Sequence, residues 1–219
     1  MKKKILYLGI DPPIKADSKY IFDKENSQLI HYPIIKTVPS KKFNLFLAFK
    51  NFLQFTHIIF TSKTTVRIFF ETLKELSFSF EEISQKQYIV VGKSTAHVLK
   101  EYDITPTWIA EEETATGIVA LLKNLNLKNS FIFFPHSKLS RNTIITFLLN
   151  ENLKFEESYF YDTIPFKSGP LPDLKTVDEI VFTSPSTVDA FLTFFKTLPQ
   201  NKILTPIGPV TNLRLEKKL

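Results

Sequence analysis

Short, unbroken apolar runs alternate along this chain with stretches of helical spacing. Ile5-Leu6-Tyr7-Leu8, Ile58-Ile59-Phe60, Tyr88-Ile89-Val90-Val91, Phe131-Ile132-Phe133-Phe134, Ile180-Val181-Phe182 and Ile203-Leu204 are continuous rather than alternating. That is the pattern of strands covered on both faces in a parallel sheet. Between them, Thr65 to Leu76 sets Val66, Phe69, Phe70, Leu73 and Leu76 along one helical face. The alternation predicts an α/β architecture in which helices flank parallel sheets and ligands meet the carboxyl ends of the strands.

An internal repeat sharpens this picture. Aligned at an offset of 122, His57 to Phe69 and Glu179 to Phe191 are identical at Ile58/Ile180, Phe60/Phe182, Thr61/Thr183, Ser62/Ser184, Thr65/Thr187, Val66/Val188 and Phe69/Phe191, seven of thirteen positions. Downstream of each copy comes a second strand–Gly–helix unit, Val91-Gly92-Lys93-Ser94-Thr95 and Ile207-Gly208-Pro209-Val210-Thr211, at an offset of 116. A fainter pair sets strand, helix and strand from Ile5 to Ile35 beside those from Phe131 to Ile164. Two related α/β domains of about a hundred residues each are expected, facing one another.

Each repeated unit ends a strand in small or hydroxyl residues and starts a helix at once. Ser184 is expected as a helix cap and Pro185 as the first helical residue, where the missing N–H of Pro costs nothing. Free N–H groups and the helix dipole at such a start favour an anion. Four starts, after Phe60, Val91, Phe182 and Ile207, would suit a ligand with several carboxylates in one cleft.

Composition narrows the chemistry. The 219 residues allow one or two domains, and Lys plus Arg exceed Asp plus Glu by 28 − 22 = 6. The basic excess favours an anionic partner. Lys greatly outnumbers Arg and no basic-aromatic pattern is present, so no nucleic-acid partner is expected. The absence of Cys excludes disulfides, a thiolate nucleophile and cysteine-ligated metal. His31, His57, His97 and His136 are too scattered for a zinc site, and no Gly-x-Gly-x-x-Gly loop occurs. The apolar run after Lys2-Lys3-Lys4 ends at Asp11-Pro12-Pro13 and reads as a first strand, not a secretion signal. Phe43 to Phe55 is far short of the about 20 residues that span a bilayer. A cytoplasmic protein with no membrane association is expected.

The set Phe60-Thr61-Ser62 with Val66, Val91-Gly92 with Thr95-Ala96, Tyr161 followed by Thr163, Phe182-Thr183-Ser184-Pro185-Ser186, and Ile207-Gly208-Pro209 with Thr211 resembles the uroporphyrinogen-III synthase family in order, spacing and duplication. The resemblance spans nearly the whole chain. It implies two similar α/β domains with parallel sheets flanked by helices, joined by a two-stranded linker around Tyr32–Lys36 and Tyr159–Phe166. Domain one would be discontinuous, residues 1–33 plus 166–219, and domain two residues 34–165.

The family's reaction takes hydroxymethylbilane, an open tetrapyrrole, expels its terminal hydroxyl as water, inverts ring D through a spiro intermediate and closes the ring to uroporphyrinogen III. The resemblance implies no cofactor and no metal, a monomer, and transient contact with hydroxymethylbilane synthase. It assigns Tyr161 to assisting departure of the hydroxyl, with Thr95 beside the reacting centre. Ser62, Gly92, Thr183, Ser184, Gly208 and Thr211 fall at substrate-binding positions, and Lys63, Lys93 and Arg141 would add positive charge. Two basic positions of the family pattern are absent: Asp11-Pro12 stands for Arg-Pro, and Pro135-His136-Ser137 for Pro-Arg-Gly. The chain also stops at Leu219, where a further strand and helix are usual. The competing reading is a non-catalytic two-lobed binding protein for a small polycarboxylate.

Overall fold

A computed structural model describes residues 2–13, 23 and 25–219. The elements in chain order are β1 (Lys3–Tyr7), β2 (Ser27–His31), β3 (Ile35–Pro39), α1 (Lys42–Ala48), β4 (His57–Phe60), α2 (Lys63–Glu75) and α3 (Phe80–Ser84). They continue with β5 (Gln87–Val90), α4 (Lys93–Lys100), β6 (Trp108–Ile109), α5 (Ala115–Lys123), β7 (Phe131–Ser137), α6 (Thr143–Asn150) and β8 (Lys154–Pro165). The last are β9 (Glu179–Phe182), α7 (Pro185–Phe195), β10 (Ile203–Pro206) and α8 (Pro209–Glu216). The helix expected between Ile5 and Ile35 falls on residues outside those described.

The chain divides into two compact units, Met1–Val38 with Thr163–Leu219, and Pro39–Asp162. The first holds a four-stranded sheet in the order β10-β9-β1-β2, parallel throughout. The second sheet runs β3-β8-β7-β4-β5-β6, and β8 to β6 are parallel. Both passages of the chain between the units, β3 and β8, are strands and neighbours in that sheet.

The repeat read from the sequence is realised rung for rung. The order β5-β4-β7-β8 in one sheet matches β10-β9-β1-β2 in the other. His57 pairs with Gln87 where Glu179 pairs with Ile203, so the offsets of 122 and 116 hold together in one register. The helices follow suit: α2 and α7 start 122 residues apart, α4 and α8 start 116 apart.

Alternation across the central strands builds a core on each sheet face. Ile58 and Phe60 of β4 join Phe49, Phe52, Phe69, Phe133 and Phe160 on one face, while Ile59 joins Ile89, Ile118, Ile132 and Leu148 on the other. In the other unit Ile180 and Phe182 pack with Leu6, Val188 and Phe191, and Val181 turns to Ile5 and Tyr7. Sixteen of the 22 Phe lie in Pro39–Asp162, and its core is correspondingly aromatic. Phe69, fully buried, meets the rings of Phe49, Phe52, Phe60, Phe70, Phe133 and Phe160 at centroid distances of 5.0–6.4 Å.

The helix expected from Thr65 begins two residues earlier, because Ser62 supplies the cap: its Oγ accepts from the Thr65 N–H at 3.1 Å. The helix ends at Glu75 with Leu76 as its cap, and the φ of 60° at Ser77 breaks the spiral. The strand expected over Phe131 to Phe134 runs on to Ser137, since β8 continues alongside it. At the amino end of β9, buried Glu179 is paired by Lys3 Nζ at 2.7 Å and accepts from Thr205 Oγ1 at 2.6 Å.

Phe69→Ala removes the hub of the aromatic core and should cost about 3–5 kcal/mol of unfolding free energy, read by urea denaturation. His57, at the matching amino end of β4, is buried against Trp108, its ring centroid 6.0 Å from the indole. Burial holds its imidazole below the ordinary value of 6.5, and a hydrogen bond with the Gln87 side chain opposes this more weakly. The unfolded chain therefore takes up the proton first. Stability should fall as pH drops from about 6.5 to 5, and His57→Gln should flatten that slope in denaturation curves measured across the range.

Candidate active site

Four helix starts share one construction. Ser62, Gly92, Ser184 and Gly208 cap α2, α4, α7 and α8 in extended backbone, and the third residue of each helix is a buried Thr: Thr65, Thr95, Thr187 and Thr211. Sequence reasoning singled out Thr95 and Thr211. Thr65 and Thr187 belong to the same set, and their identity in the 122-residue alignment is the signal that could have found them.

The two Ser caps differ in use. Ser62 Oγ accepts from Thr65 N–H and sits 2.8 Å from Thr65 Oγ1. At the other start the Ser184 N–H donates to Thr187 Oγ1 at 3.3 Å, and the Ser184 hydroxyl lies 2.8 Å from that of Ser186. Thr183 is half-buried, and its methyl comes so near Gly9 that a Cβ there would lie 2.9 Å away.

The start of α4 shows what chemistry suits it. Glu113, from the acidic run just before α5, brings Oε1 within 3.1 Å of the Lys93 N–H. A Cβ on Gly92 would overlap that carboxylate side chain, so Gly is what admits it. A carboxylate at a helix N-terminus takes up N–H groups with no partner inside the helix and meets the positive end of the dipole. Sequence reasoning passed over Glu113, which lies twenty residues from its partner and reads as part of a solvated acidic run.

Tyr161 reaches the α2 start through an irregularity in β8. His136 is opposite Tyr159 and Ser137 is opposite Tyr161, so Phe160 is an extra residue in the ladder. Such a bulge re-aims the side chains beyond it. Tyr159 stays 50% exposed, while Phe160 and Tyr161 both turn into the aromatic core. Tyr161, only 9% exposed, donates its phenolic O–H to Ser62 Oγ at 3.1 Å. The structure thus brings together two residues 99 positions apart that the sequence singled out separately.

Lys63 and Lys93 are exposed as the first residues of α2 and α4, and Arg141 is exposed in the loop before α6. None of the three makes an ion pair within 4.0 Å among the described residues. A cavity of about 630 Å³ opens elsewhere in the same unit, lined by Ser40, Asn44, Lys50, Lys138, Glu157 and Tyr159 among others. None of the expected site residues lines it. Among the described residues no three His, Asp or Glu cluster as a metal site, and no helix is long and apolar enough to cross a membrane.

Residues 20–218 match the profile of the family described as uroporphyrinogen-III synthase HemD. A porphyrin biosynthesis protein HemD from Ruminiclostridium josui is 27% identical over 180 residues, covering 78% of this chain and 35% of its own, so the chain spans about a third of that relative. Two solved structures share the fold. A mutant uroporphyrinogen III synthase of the extremely thermophilic bacterium Thermus thermophilus superposes with a TM-score of 0.66 at 16% identity, over 98% of this chain and 88% of that one. The uroporphyrinogen-III synthetase of Helicobacter pylori 26695 gives 0.66 at 19% identity, over 99% and 89%.

Gly92→Ala leaves an extended backbone unstrained but displaces Glu113 from α4. It should cost about 0.5–1 kcal/mol in urea melts, while Gly208→Ala, whose Cβ meets nothing within 4 Å, should stay within about 0.5 kcal/mol of the native chain.

Proposed function

The chain belongs to the uroporphyrinogen-III synthase family, and on that premise we propose that it cyclises hydroxymethylbilane to uroporphyrinogen III with loss of water and inversion of ring D. The observation that carries this reading is the Tyr161–Ser62 contact at the start of α2. It holds a phenol, which can donate a hydrogen bond at neutral pH, beside one of four helix starts suited to carboxylates.

In the reaction the pyrrole nitrogen pushes its electron pair toward the carbon bearing the hydroxyl, and the C–O bond breaks. The Tyr161 O–H turns from Ser62 Oγ to the departing oxygen, which leaves as water. The cation is then attacked by the substituted carbon through which ring D is joined to ring C, giving the spiro intermediate. The old carbon–carbon bond to the ring C bridge breaks, leaving that bridge carbon cationic, and it bonds to the free carbon of ring D, whose lost proton restores the phenol. Hydroxyl loss is chemically easy, and the open substrate also closes unaided to the isomer without inversion. Catalysis is therefore chiefly the holding of the end rings in one geometry. The acetate and propionate side chains are the handles, and Ser62, Gly92, Thr183, Ser184, Gly208 and Thr211 are the groups proposed to take them, with Lys63, Lys93 and Arg141 adding charge. Thr95, at the third position of α4, is the residue proposed to stand beside the reacting centre with Tyr161. The reading carries with it a cytoplasmic monomer that needs no metal or cofactor and meets hydroxymethylbilane synthase transiently.

Incubation with freshly generated hydroxymethylbilane, followed by oxidation and separation of isomers, should give isomer III. Isomer I alone, at the uncatalysed rate, would leave a polycarboxylate-binding protein without catalysis. Tyr161→Phe should lower turnover about tenfold to a hundredfold, with product affinity nearly intact and isomer III still dominant. Native turnover in that variant would remove Tyr161 from the mechanism.

A further inference from the structure

His136 is buried at the carboxyl end of β7, 1% exposed, stacked on Phe134 with centroids 4.5 Å apart and edge-on to Tyr159 at 5.1 Å. Its Nδ1 lies 3.0 Å from the Ser137 carbonyl oxygen, and its Nε2 meets a carboxylate oxygen of Glu157 on β8. A carbonyl oxygen only accepts, so Nδ1 carries a hydrogen. An ionised carboxylate also only accepts, so the second contact requires one more proton between Nε2 and Glu157. Whichever atom holds that proton, the pair has no net charge, as so buried a ring demands.

The bridge sits directly before the bulge. Phe134 opposite Glu157 and His136 opposite Tyr159 belong to the last regular rungs, after which Phe160 is the extra residue. The Phe160 carbonyl accepts from the Ser40 N–H at 2.9 Å, and the Lys138 N–H donates to the Tyr161 carbonyl at 2.9 Å. A ladder with one surplus residue has a neighbouring register, in which Phe160 would face Ser137 and Tyr161 would turn to the opposite side of the sheet. The cavity beside Glu157 also brings Glu156, Lys50 and Lys138 near it, but Glu156 accepts from Asn51 at 2.6 Å and Lys138 pairs with Asp162 at 3.6 Å.

We propose that His136 and Glu157 are a positioning pair: their proton-sharing bridge pins the last regular rungs of β7 and β8, so that the surplus residue falls at Phe160 and Tyr161 points at Ser62. The proposal rests on Tyr161 acting in the reaction proposed above. Three variants test it. Glu157→Leu and His136→Phe both break the bridge, the second keeping the stacked ring. Glu157→Gln keeps it without the extra proton, because an amide N–H can donate to Nε2 of a neutral ring.

Turnover to isomer III and the NMR signal of ring-labelled Tyr161 are read in each, below its melting temperature. Glu157→Leu and His136→Phe should lower kcat about tenfold with KM within about twofold, and should shift the Tyr161 signal; Glu157→Gln should recover both to near native values. Equal kcat and an unmoved Tyr161 signal in Glu157→Leu or His136→Phe would overturn the proposal, as would a Glu157→Gln protein no better than Glu157→Leu. Where one bridge-breaking variant does not fold, the other carries the comparison. Should the native chain form only isomer I, the functional reading fails by itself, and the Tyr161 signal still decides whether the pair sets that side chain.

Discussion

A strand with hydrogen-bonded neighbours on both edges and both faces buried has no room for an unpaired polar side chain, and β4 and β9 are such strands. Each opens on one polar residue, His57 or Glu179, that has a partner. All four residues of each are buried. Their neighbours take register from them, and the apolar run must end where cover ends. The chain then has N–H groups to satisfy and a helix to begin, which is why Ser, Thr and Gly gather at these junctions. The candidate chemistry is a by-product of that constraint: the residues that close off a buried strand are those that present unpaired donors to a ligand.

How much of this could be read in the sequence follows from range. Strands with both faces covered announce themselves as apolar runs, and the offsets of 122 and 116 proved to be a shared register because each copy buries the same face. The edge and linking strands β2, β3, β6 and β8 were not among those runs, since partly exposed strands carry polar residues such as Ser27, Gln28 and Glu156. Tyr161 was legible as a candidate, but its aim was not. Strict alternation would set it on the same side as exposed Tyr159, and only the surplus Phe160 turns it inward. Glu113 and Glu157 were hidden for a related reason: each meets its partner through a sheet or loop crossing that nothing local records.

The two copies have diverged where it matters. Ser62 receives the Tyr161 hydroxyl, whereas the Ser184 hydroxyl is engaged by Ser186. The surrounding core is a cluster of Phe rings in one unit and chiefly aliphatic in the other. The α2 start, with Tyr161 held on Ser62, is thus backed by a large Phe cluster, whereas behind the α7 start Phe182, Phe191 and Phe195 pack among aliphatic side chains.

The discontinuity of one unit also sets a timetable for synthesis. Residues 39–162 form a contiguous body, and the sheet they share with the ends of β3 and β8 has all its strands once residues 35–165 have left the ribosome. Strands β1 and β2 precede that body in the chain, yet β1 can gain its other neighbour, β9, only after the whole body has emerged. Until then they are a two-stranded ribbon, too small to be stable alone. The nascent chain must keep Ile5, Leu6 and Leu8 out of wrong contacts while residues 39–162 are made. The charged and polar residues that flank them, Lys2, Lys3 and Lys4 before and Asp11 after, fit that need for solubility while the missing strand is awaited.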